Sequence, residues 1–434
     1  MTHLEDALSR VLSGAADQAP QASAGLVTAV ETRHRRRRTR TAALLSATAV
    51  VVVAVGAGTA VSALRGPAAP PPATGGTGSP SPGATKRAEP PVDEIPPPVT
   101  RVWPKAVHDL PAKLPDGRAY EPQVLLDDRT LLVMTGAWDG KRQFLWRYDL
   151  DSGRPTRVAE IPPTKGSAIY ADGVAAGGGN IVWWASYKEP GRPRVARIWT
   201  VPVAGGRPRP VTDVPLGDVM KEGHINGLAV VGSEVVFAYE KGGVHRVPLN
   251  GGRPRPVKGA GRHHVLRWPW VGVHRGKVVF RELLDVETGE RRDAVVGPGE
   301  EQVRCGVERC FGVLRRDGAL PKWFVRDRDG SGERELSPRS ASGLMEAGLE
   351  RFFMFTLNDR KGPAGVALYD ADTGRSADLG IRPEERTIPA RKVRGRYVEE
   401  ETQMSMAIPD GGDDRLLTVR LSDRMRIVDL AAID

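Results

Sequence analysis

Seven residues, GGRPRPV, occur twice in this chain, at 205–211 and at 251–257. Each copy sits in a longer pattern of apolar run, tight turn and second run: VPVAGGRPRPV at 201–211 and VPLNGGRPRPV at 247–257. Related hairpins are YDLDSGRPTRV at 148–158, LDVETGERRD ending at Asp293, VRDRDGSGEREL ending at Leu336 and LYDADTGRSADL ending at Leu379. A degenerate copy, VRLSDRMRIVDL, ends at Leu430. Their turn residues are Gly153, Gly206, Gly252, Gly289, Gly332, Gly374 and, in the last copy, about Arg424. The spacing averages about 45 residues, the period of a β-propeller blade. Glycine supplies the positive φ such turns need, and Asp or Asn supplies an Asx turn.

A second hairpin recurs upstream of these. YADGVAAGGGNIVWW (170–184), INGLAVVGSEVVFAY (225–239) and WPWVGVHRGKVVFRE (268–282) each run from a strand through a turn into a strongly apolar strand. LLDDRTLLVM (125–134) and AGLERFFMF (347–355) have the same shape. Two hairpins per unit make four strands. The sequence therefore predicts an all-β fold, a β-propeller of seven blades over residues 101–434, with six or eight blades as the alternatives. A β-sandwich also has short strands but not a repeat of this length seven times.

The first hundred residues differ. Residues 41–64 hold 24 residues without a charge. As a helix they measure about 36 Å, enough to cross a hydrocarbon core. Arg33, Arg35, Arg36, Arg37, Arg38 and Arg40 precede them, and Arg65 follows. The positive-inside rule then gives a single-pass cell-membrane protein with residues 1–40 cytoplasmic and the rest extracytoplasmic. Cleavage after Val61-Ser62-Ala63 is the competing reading. A leader and an apolar run this long point instead to an uncleaved signal anchor. Residues 65–100 are dominated by Pro, Gly, Ser and Thr and read as a disordered spacer. Leu4, Ala7, Leu8, Val11 and Leu12 share one face of a short amphipathic helix over 3–15, either a docking segment for a cytoplasmic partner or nascent structure alone.

The formal charge is +10, and 50 of the 63 basic residues are Arg. Outside the cluster before residue 41 they read as scattered and interleaved with Asp and Glu. No nucleic-acid partner is expected.

The YDLDSG (148–153) and YDADTG (369–374) hairpins resemble those of the TolB-like and WD-repeat-like propellers of bacterial envelope proteins. With its stub, anchor and spacer, the layout resembles actinobacterial single-pass membrane proteins. Some of those are thought to regulate extracytoplasmic-function sigma factors. Full Gly-His and Trp-Asp pairs are absent from the blades, so the resemblance implies a fold and layout but no residue roles.

Candidate chemistry is sparse. Cys305 and Cys310, in VRCGVERCFG, favour a disulfide in an exported domain, with free thiols or a metal or redox site as alternatives. Asp327-Arg328-Asp329-Gly330-Ser331-Gly332 matches the start of a calcium loop. Its twelfth position is Pro338, where a bidentate acid is required, and no metal or cofactor is expected. His224, His263, His264, Trp268 and Trp270 fall where two successive units would approach a channel mouth, and could contact a ligand there. No G-x-S-x-G, H-E-x-x-H or P-loop is present. The leading expectation is a membrane-anchored binding module, not an enzyme, presenting loops to an envelope protein, peptide or glycan. The alternatives are a transmembrane regulator like an anti-sigma factor, with the propeller as sensor, and an envelope hydrolase using channel-facing residues.

Overall fold

The computed structural model describes residues 95–434 apart from 137–141, 164–170, 188–193, 217–223, 276–277, 316–321, 337–344, 360–361, 389–390, 394–395, 399–400, 406–409 and 422–423. The anchor at 41–64, the arginine cluster and the helix expected over 3–15 lie outside these residues, as does most of the spacer. No helix of the described residues is long and apolar enough to cross a membrane.

The described chain is almost entirely β. After a one-turn helix at Val99–Val102 comes β1 (Val107–Pro111). Six sets of four antiparallel strands follow. Sheet 1 is β2 (Tyr120–Leu125), β3 (Thr130–Thr135), β4 (Phe144–Asp149) and β5 (Pro155–Glu160). Sheet 2 is β6 (Asp172–Gly177), β7 (Asn180–Tyr187), β8 (Val195–Pro202) and β9 (Arg209–Pro215). Sheet 3 is β10 (Ile225–Val231), β11 (Glu234–Tyr239), β12 (Val244–Pro248) and β13 (Arg255–Pro256). Sheet 4 is β14 (His264–Arg267), β15 (Trp270–Arg275), β16 (Val278–Asp285) and β17 (Arg291–Asp293). Sheet 5 is β18 (Glu300–Cys305), β19 (Arg309–Leu314), β20 (Lys322–Asp327) and β21 (Arg334–Leu336), joined to sheet 4 by a short parallel pairing of β16 with β18. Sheet 6 is β22 (Met345–Gly348), β23 (Phe352–Asp359), β24 (Gly362–Asp370) and β25 (Ser376–Asp378).

Two small hairpins come next: β26 (Glu384–Ile388) pairs with β29 (Glu401–Ser405), and between them β27 (Arg391–Val393) pairs with β28 (Arg396–Val398). Sheet 7 has only three strands of its own, β30 (Asp410–Asp413), β31 (Leu416–Arg420) and β32 (Arg424–Asp429). Its fourth is β1, which pairs antiparallel with β32 from Val107↔Val428 to Pro111↔Arg424. The degenerate last hairpin is therefore not equivalent to the others. It joins the second strand of its sheet to the third, whereas the six glycine turns join third to fourth.

The second strand of every sheet but the fourth is apolar on both faces because it is packed on both; β15 contributes only Val271, on the side of sheet 3. Leu131 and Val133 enter a cluster shared with sheet 7, while Leu132 and Met134 enter one shared with sheet 2. Ile181 and Trp183 face sheet 1, and Val182 and Trp184 face sheet 3. Val236 and Ala238 face sheet 4. Further clusters join sheet 4 to 5, 5 to 6 and 6 to 7. Sheet 7 meets sheet 1 through Leu110, Leu416, Met425 and Ile427, so the succession returns to its start. A strand buried on both faces reads as an unbroken apolar run, which is why NIVWWA and EVVFAY lack period-two alternation. Each such side chain contributes about 1.5–3 kcal/mol by leaving water.

The first strands share one irregularity. In every sheet the pairing of first with second strand slips once, between Pro122 and Val124, Asp172 and Ala175, Ile225 and Leu228, Val265 and Arg267, Glu301 and Arg304, Glu346 and Gly348, and Gly411 and Asp413. A bulge leaves its extra residue out of the ladder and bends the strand. These strands also neighbour one another: β2 lies against β6 and β30, β10 against β6 and β14, and β22 against β30.

Candidate functional site

The turns between first and second strands converge from different sheets onto one charged cluster. Arg267 ends β14 of sheet 4, Glu350 lies between β22 and β23, and Asp414 lies between β30 and β31. The Arg267 Nε is 3.3 Å from the Asp414 Oδ2, and one of its terminal nitrogens is 3.6 Å from the Glu350 Oε1. Arg415 pairs with Asp429 on its own sheet and with Asp128 in the β2–β3 turn of sheet 1. Its pKa is raised, first by the hydrogen bond to Asp429.

Glu350 is buried, and its carboxylate is held from a third sheet. Oε1 accepts from the Val307 amide at 2.7 Å; Oε2 accepts from the amides of Glu308 at 2.7 Å and Arg309 at 3.0 Å. These amides belong to the loop closed by the Cys305–Cys310 disulfide, whose cysteines face each other across β18 and β19. Gly306 is required there: a Cβ would come within 1.9 Å of the Glu350 carboxyl carbon. Leu349 and Glu350 both adopt left-handed backbone, with φ of 55° and 53°. Two consecutive non-glycine residues in that region carry strain, which the three amide bonds offset. A carboxylate holding three amides in this way clamps the 307–309 loop to sheet 6.

Below this loop Arg328 is buried, donating to the carbonyls of Gly306 at 2.6 Å and Phe280 at 2.8 Å. Burial pushes its guanidinium pKa down to about 10, so it remains a cation at neutral pH. The Asp327–Gly332 segment forms the β20–β21 turn. The Asp329 carboxylate accepts from the Ser331 amide and hydroxyl, which holds its pKa below the usual value. No group of three or more metal-ligating side chains occurs among the described residues.

The histidines and tryptophans singled out from sequence are only partly gathered. His264 is buried on β14 with its Nδ1 3.3 Å from the Asn226 amide nitrogen of β10. His224 immediately precedes β10, its ring 6.2 Å from that of Trp184. His263 is half-buried, and burial lowers its pKa, with Arg291 and Arg262 acting in the same direction. The Trp268 indole donates to Glu287 at 2.9 Å and stacks under Arg246, and the Trp268–Pro269 peptide is cis. Trp270 lies under Arg292 instead. Neither tryptophan touches Glu350 or Asp414 through any contact recorded among the described residues. Arg267 adjoins this group in sequence; Glu350 and Asp414 carry no motif that could have singled them out.

No family model and no curated protein matches the chain. Among solved structures it resembles prolyl endopeptidases at 18% identity and a TM-score of 0.40, over 63% of this chain and 44% of that one. It resembles a puromycin hydrolase at 14% identity and a TM-score of 0.40, over 67% and 50%. An oligogalacturonate lyase in complex with manganese is similar at 13% identity and a TM-score of 0.32, over 78% and 90%. The chain thus spans half or less of the length of the two peptide-type hydrolases. These likenesses correct two expectations: that the chain is a non-catalytic binding module, and that it is not an enzyme. The structures it resembles are enzymes, and peptidases recur among them. At these scores they assign no role to any residue here.

Proposed function

We propose that the chain is an extracytoplasmic hydrolase acting on peptides, held at the membrane by residues 41–64 and built as a seven-bladed β-propeller of the TolB-like and WD-repeat-like kind. Seven four-stranded sheets, each sharing an apolar cluster with the next and the last with the first, support the propeller. Peptides are favoured as substrates by the bulged first strands. In a propeller these strands surround the axis, and apart from β18, which pairs with β16, their outer edges carry no strand in this fold, while each bulge frees a further peptide unit. Edge N–H and C=O groups pair with an extended peptide regardless of its side chains.

The test is hydrolysis itself. The full chain, purified in detergent, is incubated with a mixture of unstructured peptides and the products are read by mass spectrometry. Discrete cleavages supported by the chain, with KM altered by Arg267→Ala, are expected. Intact peptides after incubation with both the purified chain and native membranes containing it would overturn the proposal.

A further inference from the structure

The turn between third and fourth strands changes character around the fold. In sheets 1, 4, 5 and 6 it carries acids: Asp149 and Asp151, Asp285 and Glu287, Asp327 and Asp329, Asp370 and Asp372. In sheets 2 and 3 it is AGGRPRP and NGGRPRP, with none. The bias extends beyond the turns, for Lys241 through Arg281 contain ten Lys or Arg and not one Asp or Glu. Here the expected interleaving of charges breaks down.

The cations of these turns are presented, not neutralised. Arg207, Arg209, Arg253, Arg255 and Lys258 are all exposed. Among the described residues no carboxylate pairs with Arg207, Arg209, Arg253 or Lys258, and Arg255 has only Glu234 at 3.6 Å. The backbone holds the two turns in series. The Gly206 amide donates to the Val158 carbonyl of sheet 1 at 3.2 Å, and Gly251 packs so closely on sheet 2 that a Cβ would lie 3.3 Å from the Val211 carbonyl. Pro208, Pro210, Pro254 and Pro256 fix φ between the arginines and lack the N–H that would let this edge pair with another strand. Edge protection explains the prolines. It does not explain five cations on adjacent sheets, whose mutual repulsion an anionic surface would turn into attraction.

We infer that the arginine rim of sheets 2 and 3 docks the domain onto the anionic phosphodiester headgroups of the bilayer that anchors the chain. Guanidinium groups match phosphate oxygens in pairs. A domain on a spacer reaching about 100 Å stays at high effective concentration over those headgroups. The inference rests on reading residues 41–64 as a membrane anchor.

The full chain is assembled into nanodiscs of phosphatidylcholine alone and of phosphatidylcholine with phosphatidylglycerol, and hydrogen exchange is followed in peptides spanning 201–216 and 247–260. Slower exchange in the anionic discs is expected, weakening about fivefold for each cation removed and abolished by high salt. Arg207→Gln with Arg253→Gln reduces it, while exchange in β7 and β11 stays unchanged and reports an intact fold. Equal exchange in the two discs overturns the inference. So does slowing caused by soluble polyphosphate in phosphatidylcholine discs without slowing by phosphatidylglycerol, which would assign the rim to a soluble polyanion. If the chain fails to enter discs at all, the anchor reading fails and the inference with it, an outcome distinguished by the chain's absence from the disc fraction.

Discussion

The Arg267 guanidinium lies 3.3 Å from the Asp414 carboxylate although 147 residues separate them. Both groups are largely exposed, so their attraction is screened and contributes under about 1 kcal/mol. Arg267→Ala is therefore expected to leave the urea midpoint nearly unchanged. A large loss of stability would mean that this pair, and not the apolar clusters, holds sheets 4 and 7 in register.

Glu350 is the opposite case. Truncation to Ala leaves three amides of the 307–309 loop without their acceptor and is expected to cost about 3 kcal/mol. Gly306→Ala drives a methyl group into the same carboxylate and is also destabilising. In combination the two changes should cost clearly less than their sum, because Glu350→Ala removes the carboxylate that the Gly306→Ala methyl group collides with. Simple additivity in denaturant titrations would show that Gly306 and Glu350 are not in contact.

Trp183 is fully buried, and its indole N–H has no hydrogen-bond partner among the described residues. Trp183→Phe removes a polar group from an apolar cluster while keeping an aromatic ring, so the loss of stability should stay under about 1.5 kcal/mol. Trp183→Ala should cost about 3–5 kcal/mol. Thermal melts of both variants check the contrast.

The repeat was legible from its turns. Gly153, Gly289 and Gly374 all have positive φ and donate to the carbonyl of the Asp four residues earlier, so YDLDSG, LDVETG and YDADTG encode one local geometry. The completion of sheet 7 by β1 was not legible. VHDLP lacks any mark of the repeat, and its pairing is fixed by a contact made more than 300 residues away in sequence. The charged cluster was hidden for the same reason: Arg267, Glu350 and Asp414 are ordinary turn residues until three sheets are packed together.

His263 supplies a pH test. Its folded pKa lies below the unbound value of 6.5, so the unfolded chain takes up a proton first as the medium is acidified. Stability then rises with pH across the window between the lowered pKa and 6.5, and falls as pH drops through it. His263→Gln should flatten the dependence of melting temperature on pH in that window. An unchanged slope would assign it to another group.

The Cys305–Cys310 bridge closes a short loop already paired in a hairpin. Its loss through Cys305→Ser with Cys310→Ser is expected to cost about 2 kcal/mol at most. The larger effect should fall on the Glu350 clamp, seen as faster hydrogen exchange at the amides of 307–309 than elsewhere in sheet 5.

The pairing of β1 with β32 also imposes an order on synthesis. Residues 107–111 emerge from the ribosome among the first of the domain, and their partners, 424–429, among the last. Until then Leu110 has no Met425 to cover it, and the cluster between sheets 7 and 1 lacks Met425 and Ile427. A chain halted before residue 424 thus displays an unpaired strand edge and an uncovered Leu110 near one end, a flag that degradation machinery can read without inspecting the six sheets between.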